Sequence, residues 1–282
     1  MRSKGAASAD ESRRAQKSEK HVRNLKLILS YDGSEFAGWQ VQPGRATVQG
    51  TLASAIGRLS GENVLPQGSG RTDAGVHALA QVASFTTESK IPVENWAAAL
   101  NDNLPPTIRV LEVSEVPAEF HPRRSALAKT YRYRVHRGAI CPPFLARYVW
   151  HYQYPLDETA MAETAAFVVG EHDFTSFAAV DPKRAERMGG GGKGENGAET
   201  APSNIREIFS SAWQREGDEL IYTVRGNGFL HHMVRNLVGT FVLVGKSSVS
   251  RADFGRILAA RERSAAGPTA PASGLFLVSV EY

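Results

Sequence analysis

The stretch KTYRYRV, residues 129–135, alternates strictly: Tyr131, Tyr133 and Val135 fall on one side of an extended chain, Thr130, Arg132 and Arg134 on the other. A strand with an aromatic face and a guanidinium face belongs where one side meets a core and the other meets water or a charged partner. Strands and helices take turns around it. NLKLILSY (24–31) reads as a strand, and TVQGTLASAIGRLSG (47–61) as a helix with Thr47 as N-cap and Gly61 beyond its end. RTDAGVHALAQVASF (71–85) is a turn feeding a strand, VENWAAALND (93–102) a short helix and TIRVLEVSEV (107–116) a strand. The second half repeats this grammar: helix 156–170, strands 205–214 and 219–228, helices 229–246 and 251–262, and a closing strand 274–282.

A chain of 282 residues exceeds what one core usually serves, so two subdomains are expected. The boundaries read as a basic, disordered arm over 1–22, an N-terminal α+β subdomain over 23–120, and a C-terminal one over 121–282 with a flexible glycine-rich loop at 183–202. No apolar run approaches a membrane span, and the N-terminus lacks the apolar centre of a secretory signal, so a cytoplasmic protein is expected. Cys141 is the only cysteine, which excludes an intramolecular disulfide and cysteine-cluster zinc sites. The first 23 residues hold seven basic and three acidic groups, which accounts for the whole net charge of +4. A nucleic-acid site in the body therefore needs segregated charge, and residues 121–137 supply it, with Arg123, Arg124, Lys129, Arg132, Arg134 and Arg137 and no acid.

One carboxylate stands out. Asp73, in GSGRTDAGVH (68–77), is the sole acid of a glycine-punctuated turn, two residues after Arg71. A turn aspartate usually just bonds nearby amides, but Arg71 favours its ionised form and Gly70 and Gly75 let a bulky ligand approach. Arg235 lies among Met233, Val234, Leu237, Val238 and Phe241, where a buried charge requires a partner. His231 and His232 suggest a metal pair, but adjacent residues of a helix point in different directions, so no metal site is expected.

GRTDAGVHA (70–78) resembles the active-site signature of the tRNA pseudouridine synthase A family. Further matches follow in family order: YDGSEFAGWQVQP (31–43), LNDNLP (100–105), KTYRYRV, HDFTSF (172–177), GFLHHMVRNLVG (228–239) and GPTAPASGLFLV (267–278). The resemblance implies an α+β fold of two ferredoxin-like subdomains, with mixed, mainly antiparallel sheets joined around a central cleft. It implies isomerisation of uridine to pseudouridine at nucleotides 38, 39 and 40 of the tRNA anticodon stem-loop. No cofactor is implied, and the family form is a homodimer with tRNA across both subunits.

By the same resemblance Asp73 is the catalytic aspartate, Arg71 pairs with it and helps displace the target base, Tyr131 stacks on the uracil and assists the final proton removal, and Arg235 pairs with Asp73 from the other subdomain. Arg123, Arg124, Lys129, Arg132 and Arg134 are candidates for tRNA phosphates. Val41, Pro106 and Arg124 depart from the usual family pattern at positions suited to RNA contact or packing. A non-catalytic RNA-binding module, or the same chemistry on another RNA, would use the same basic strand.

Overall fold

A computed structural model describes residues 22–179 and 203–282. The expected N-terminal arm, apart from Val22, and the whole glycine-rich loop lie outside the described residues. The elements are β1 (Arg23–Tyr31), α1 (Val48–Ser60), β2 (Gln67–Gly68), β3 (His77–Thr87), α2 (Val93–Asn103) and β4 (Ile108–Val116). They continue with β5 (Ala128–His136), β6 (Trp150–His151), α3 (Glu158–Ala165), β7 (Gly170–Asp173), β8 (Ile205–Glu216) and β9 (Glu219–Gly226). The last are α4 (Met233–Gly245), α5 (Arg251–Ala260) and β10 (Leu275–Glu281).

All the strands join one sheet, in the order β4-β1-β3-β10-β5-β9-β8-β7, with β2 beside β3 and β6 beside β5. Pairing is antiparallel except at β10/β3 and β5/β6, so the sheet is mixed and mainly antiparallel. The two halves follow one plan. Leaving aside the short β6 and β7, β4-β1-β3-β2 and β10-β5-β9-β8 each place four strands in the spatial sequence fourth, first, third, second. β10, the last element of the chain, pairs with β3 on one side and β5 on the other and ties the halves together.

Residue chemistry explains the elements. In α1, Val48, Leu52, Ala55 and Ile56 are buried at helical spacing, Thr47 accepts from the Gly50 amide as N-cap, and Gly61 ends the helix at φ 74°. Leu25, Leu27 and Leu29 of β1 pack with them in a core that runs continuously into Tyr222, Phe241 and Phe254 of the C-terminal half. β5 alternates as its sequence requires, with Tyr131, Tyr133 and Val135 buried. α4 is apolar almost all round and buried accordingly.

Two helices are shorter than expected. The one read over 156–170 stops at Ala165, where Phe167, Val168 and Val169 supply aromatic and β-branched residues and Gly170 turns at φ 100° into β7. The one read over 229–246 begins only at Met233, because His232 is left-handed at φ 60° and breaks the helical path. Among the described residues no helix is long and apolar enough to cross a membrane.

Candidate active site

The turn after β2 is pinned at nearly every residue. The Ser69 amide bonds the Val82 carbonyl and its hydroxyl donates to Gln81, whose amide reaches the Gly70 carbonyl. Thr72 meets the buried Tyr31 hydroxyl at 2.8 Å, and its carbonyl accepts from the Trp39 amide at 3.0 Å. The 33–39 turn can come this close because Gly38 has no side chain: a Cβ there would sit 2.6 Å from the Thr72 carbonyl oxygen, and its φ of 89° already favours glycine. A rigid loop thus presents Asp73.

The opposite wall is the start of α4. Arg235 is anchored by its Nε donating to the Ala270 carbonyl at 2.7 Å, while its NH1 reaches Asp73 Oδ2 at 3.0 Å. Both side chains are less than one-fifth exposed, so the pair is largely shielded from water. His231 and His232 add their Nε2 atoms 3.5 Å from Oδ1 and 3.3 Å from Oδ2. Burial alone would push the Asp73 pKa up, but the His231 hydrogen bond and the charges of His232, Arg235 and His231 hold it below the usual carboxylate range. Asp73 is an ionised carboxylate, aimed and largely desolvated.

Asp73, His231 and His232 line a cavity of about 600 Å³ between the two halves. Its floor includes Tyr131, 8% exposed, with Phe229 edge-on at 4.9 Å. Burial first, then the charges of Tyr31 and Asp73, push the Tyr131 phenol well above its ordinary value, so it enters as a neutral ring with a hydroxyl. A flat aromatic ring beside a carboxylate, in a space this size, suits a flipped-out base.

The structure brings together Asp73, Arg71 and Tyr131 as lining residues of this cavity, and joins Arg235 to them through its bond to Asp73. Arg235 makes an ion pair with Asp73, and Arg71 is an exposed residue lining the same cavity. Of the five basic candidates, Arg123 and Lys129 line the cavity. Arg124 is exposed and is not among the lining residues. Arg132 and Arg134 lie on the opposite face of β5, beside Leu79 and Phe276, and Arg134 is bound to Glu219 at 2.6 Å. Lys129, two residues before Tyr131, shares the cleft face by the same alternation, and its ammonium donates to the Ser69 carbonyl at 2.6 Å.

Sequence reasoning passed over His231 and His232 because it placed both inside a helix. They precede it, and the left-handed His232 brings the two rings to one carboxylate, so the argument from diverging helix faces does not hold. Asp73, His231 and His232 offer ligand atoms within 4.8 Å of one another. The Arg235 guanidinium already occupies the cation's place at Oδ2, and we read the cluster as an ion-pair network.

Comparison with known proteins agrees with this geometry. A family profile described as tRNA pseudouridine synthase matches residues 27–123 and 165–282. The tRNA pseudouridine synthase A of Solibacter usitatus is 52% identical over 93% of this chain and 100% of its own length. That of Moorella thermoacetica is 46% identical over 92% of this chain and 99% of its own, and that of Brevibacillus brevis 42% over 93% and 100%. With an ion-paired aspartate lining a cavity sized for a nucleoside and near full-length likeness to these relatives, the chain belongs to the tRNA pseudouridine synthase family.

Proposed function

We propose that this protein isomerises uridine to pseudouridine in tRNA, at nucleotides 38, 39 and 40 of the anticodon stem-loop. The observation that carries the reading is the Asp73–Arg235 ion pair, made by residues 162 apart in sequence, which holds Asp73 on the wall of the cavity floored by Tyr131. In the reaction the N1–C1′ bond breaks, the uracil turns, a C5–C1′ bond forms, C5 gives up its proton and N1 gains one. Asp73 acts on the nucleoside as the essential carboxylate. Tyr131 supplies the stacking surface, and the closed cleft keeps the freed uracil from water.

Arg71, exposed in the cavity lining, enters the helix space left by the displaced base. Lys129 and Arg123 meet phosphates of the flanking backbone; Arg124, Arg132 and Arg134 would reach RNA only outside the cleft. The shared strand plan of the two halves supports two ferredoxin-like subdomains, split near residue 120, with the site at their junction. The working form is a cytoplasmic homodimer that binds one tRNA across both subunits and uses no cofactor.

The test is tritium release from C5-labelled uridine in an unmodified tRNA transcript. Wild-type protein releases tritium and Asp73→Asn, still folded and binding tRNA, does not. Equal release by both would remove Asp73 from the chemistry; tight binding without release by either would make the chain an RNA-binding module or direct it to another RNA.

A further inference from the structure

Two imidazoles of the cleft have no task in this scheme. His231 and His232 are consecutive, yet their ring centroids are 3.9 Å apart and both rings reach the Asp73 carboxylate. The geometry depends on the backbone of His232, at φ 60° and ψ 3°, a left-handed conformation unfavourable for any residue with a Cβ. His232 is the N-cap of α4, but its side chain makes no capping bond, so the helix gains nothing from having a histidine there. Glycine or asparagine would hold this conformation with less strain. What the strained histidine does provide is a second ring on the carboxylate.

The two carboxylate oxygens differ. Oδ2 faces Arg235 NH1 at 3.0 Å and His232 Nε2 at 3.3 Å. Oδ1 faces His231, the more exposed ring, with its side chain 38% open to solvent against 27% for His232. His232 also feels the charges of Arg235 and Arg263, and both rings line the cavity.

We propose that His231 and His232 are positioning residues for Asp73 with a division of labour. His232, with Arg235, locks Oδ2. His231 covers Oδ1 and moves off it when the nucleoside enters, leaving Oδ1 as the oxygen that meets the substrate. The proposal rests on Asp73 being the reacting group.

The experiment compares His232→Gly, His232→Asn, His231→Ala and Asp73→Asn in the full chain, on an unmodified tRNA transcript. For His232→Gly, relief of the left-handed strain leaves Tm unchanged or raised, while kcat falls by about tenfold or more with KM within about twofold. His232→Asn, which tolerates the same backbone and offers an amide donor, recovers part of that loss, and millimolar imidazole restores part of the His232→Gly rate. His231→Ala lowers kcat less than His232→Gly. A His232→Gly enzyme with wild-type kcat, or one whose loss follows a lowered Tm, overturns the clamp while Asp73→Asn remains inactive. Full turnover by Asp73→Asn would overturn the assignment of the aspartate itself.

Discussion

On the back of β5, Arg134 holds Glu219 through two hydrogen bonds of 2.6 and 2.7 Å and sits over the Phe276 ring. On the cleft side, five residues earlier in the same strand, Lys129 donates to a carbonyl and faces two more cations, Arg123 and Arg206. Among the described residues Lys129 has no acidic partner. Burial first, then Arg123 and Arg206, push its pKa down to about 8. A cation already matched to a carboxylate has little left to offer a phosphate, whereas one held among other cations gains a counter-charge when RNA arrives. The difference separates charge used for the fold from charge kept for the substrate, a distinction that counting basic residues cannot make.

Substitutions can break or sharpen this contrast, and the largest effect is expected at the cleft's own ion pair. Arg235→Ala leaves the largely buried Asp73 carboxylate with only His231 and His232 beside it, which costs about 3–5 kcal/mol of stability and nearly all turnover; thermal melts and single-turnover assays check both. Gly38→Ala forces the Thr72 carbonyl away and displaces the Asp73 loop, with a loss of roughly 2–4 kcal/mol and a comparable loss of rate.

At Lys129 the expectation has two signs. With the folded pKa near 8 and the unfolded value about 10.4, the unfolded chain binds more protons between them, so stability rises with pH across that window. Affinity for tRNA falls over the same window as the ammonium loses its charge. Lys129→Arg abolishes the alkaline fall in affinity, and Lys129→Ala lowers the salt slope of binding by about one ion. Arg134→Ala, the smallest effect, costs about 1 kcal/mol or less and leaves tRNA affinity unchanged. Equal losses of affinity at Lys129 and Arg134 would dissolve the distinction.

Much of this was legible in the sequence where local rules govern. The period of KTYRYRV separates Tyr131 from Arg132 and Arg134, and Thr47 and Gly61 bracket α1 as their chemistry requires. Asp73 and Arg235 were named by resemblance, since no local rule brings together side chains 162 residues apart. Lys129 was grouped with the arginines by charge, although its two-residue offset from Tyr131 put it on the cleft face. His231 and His232 were missed because apolar periodicity runs smoothly from Phe229 into α4, and no residue type there announces a left-handed turn.

β10 has a consequence for how the enzyme comes into being. It is the last element of the chain, yet it occupies the middle of the sheet between β3 and β5. A chain growing on the ribosome has therefore made both the aspartate wall and the arginine wall before it makes the strand that sets them face to face. Each half can begin to condense during synthesis, but the cleft is completed only after both walls have been made, once Leu275–Glu281 has emerged.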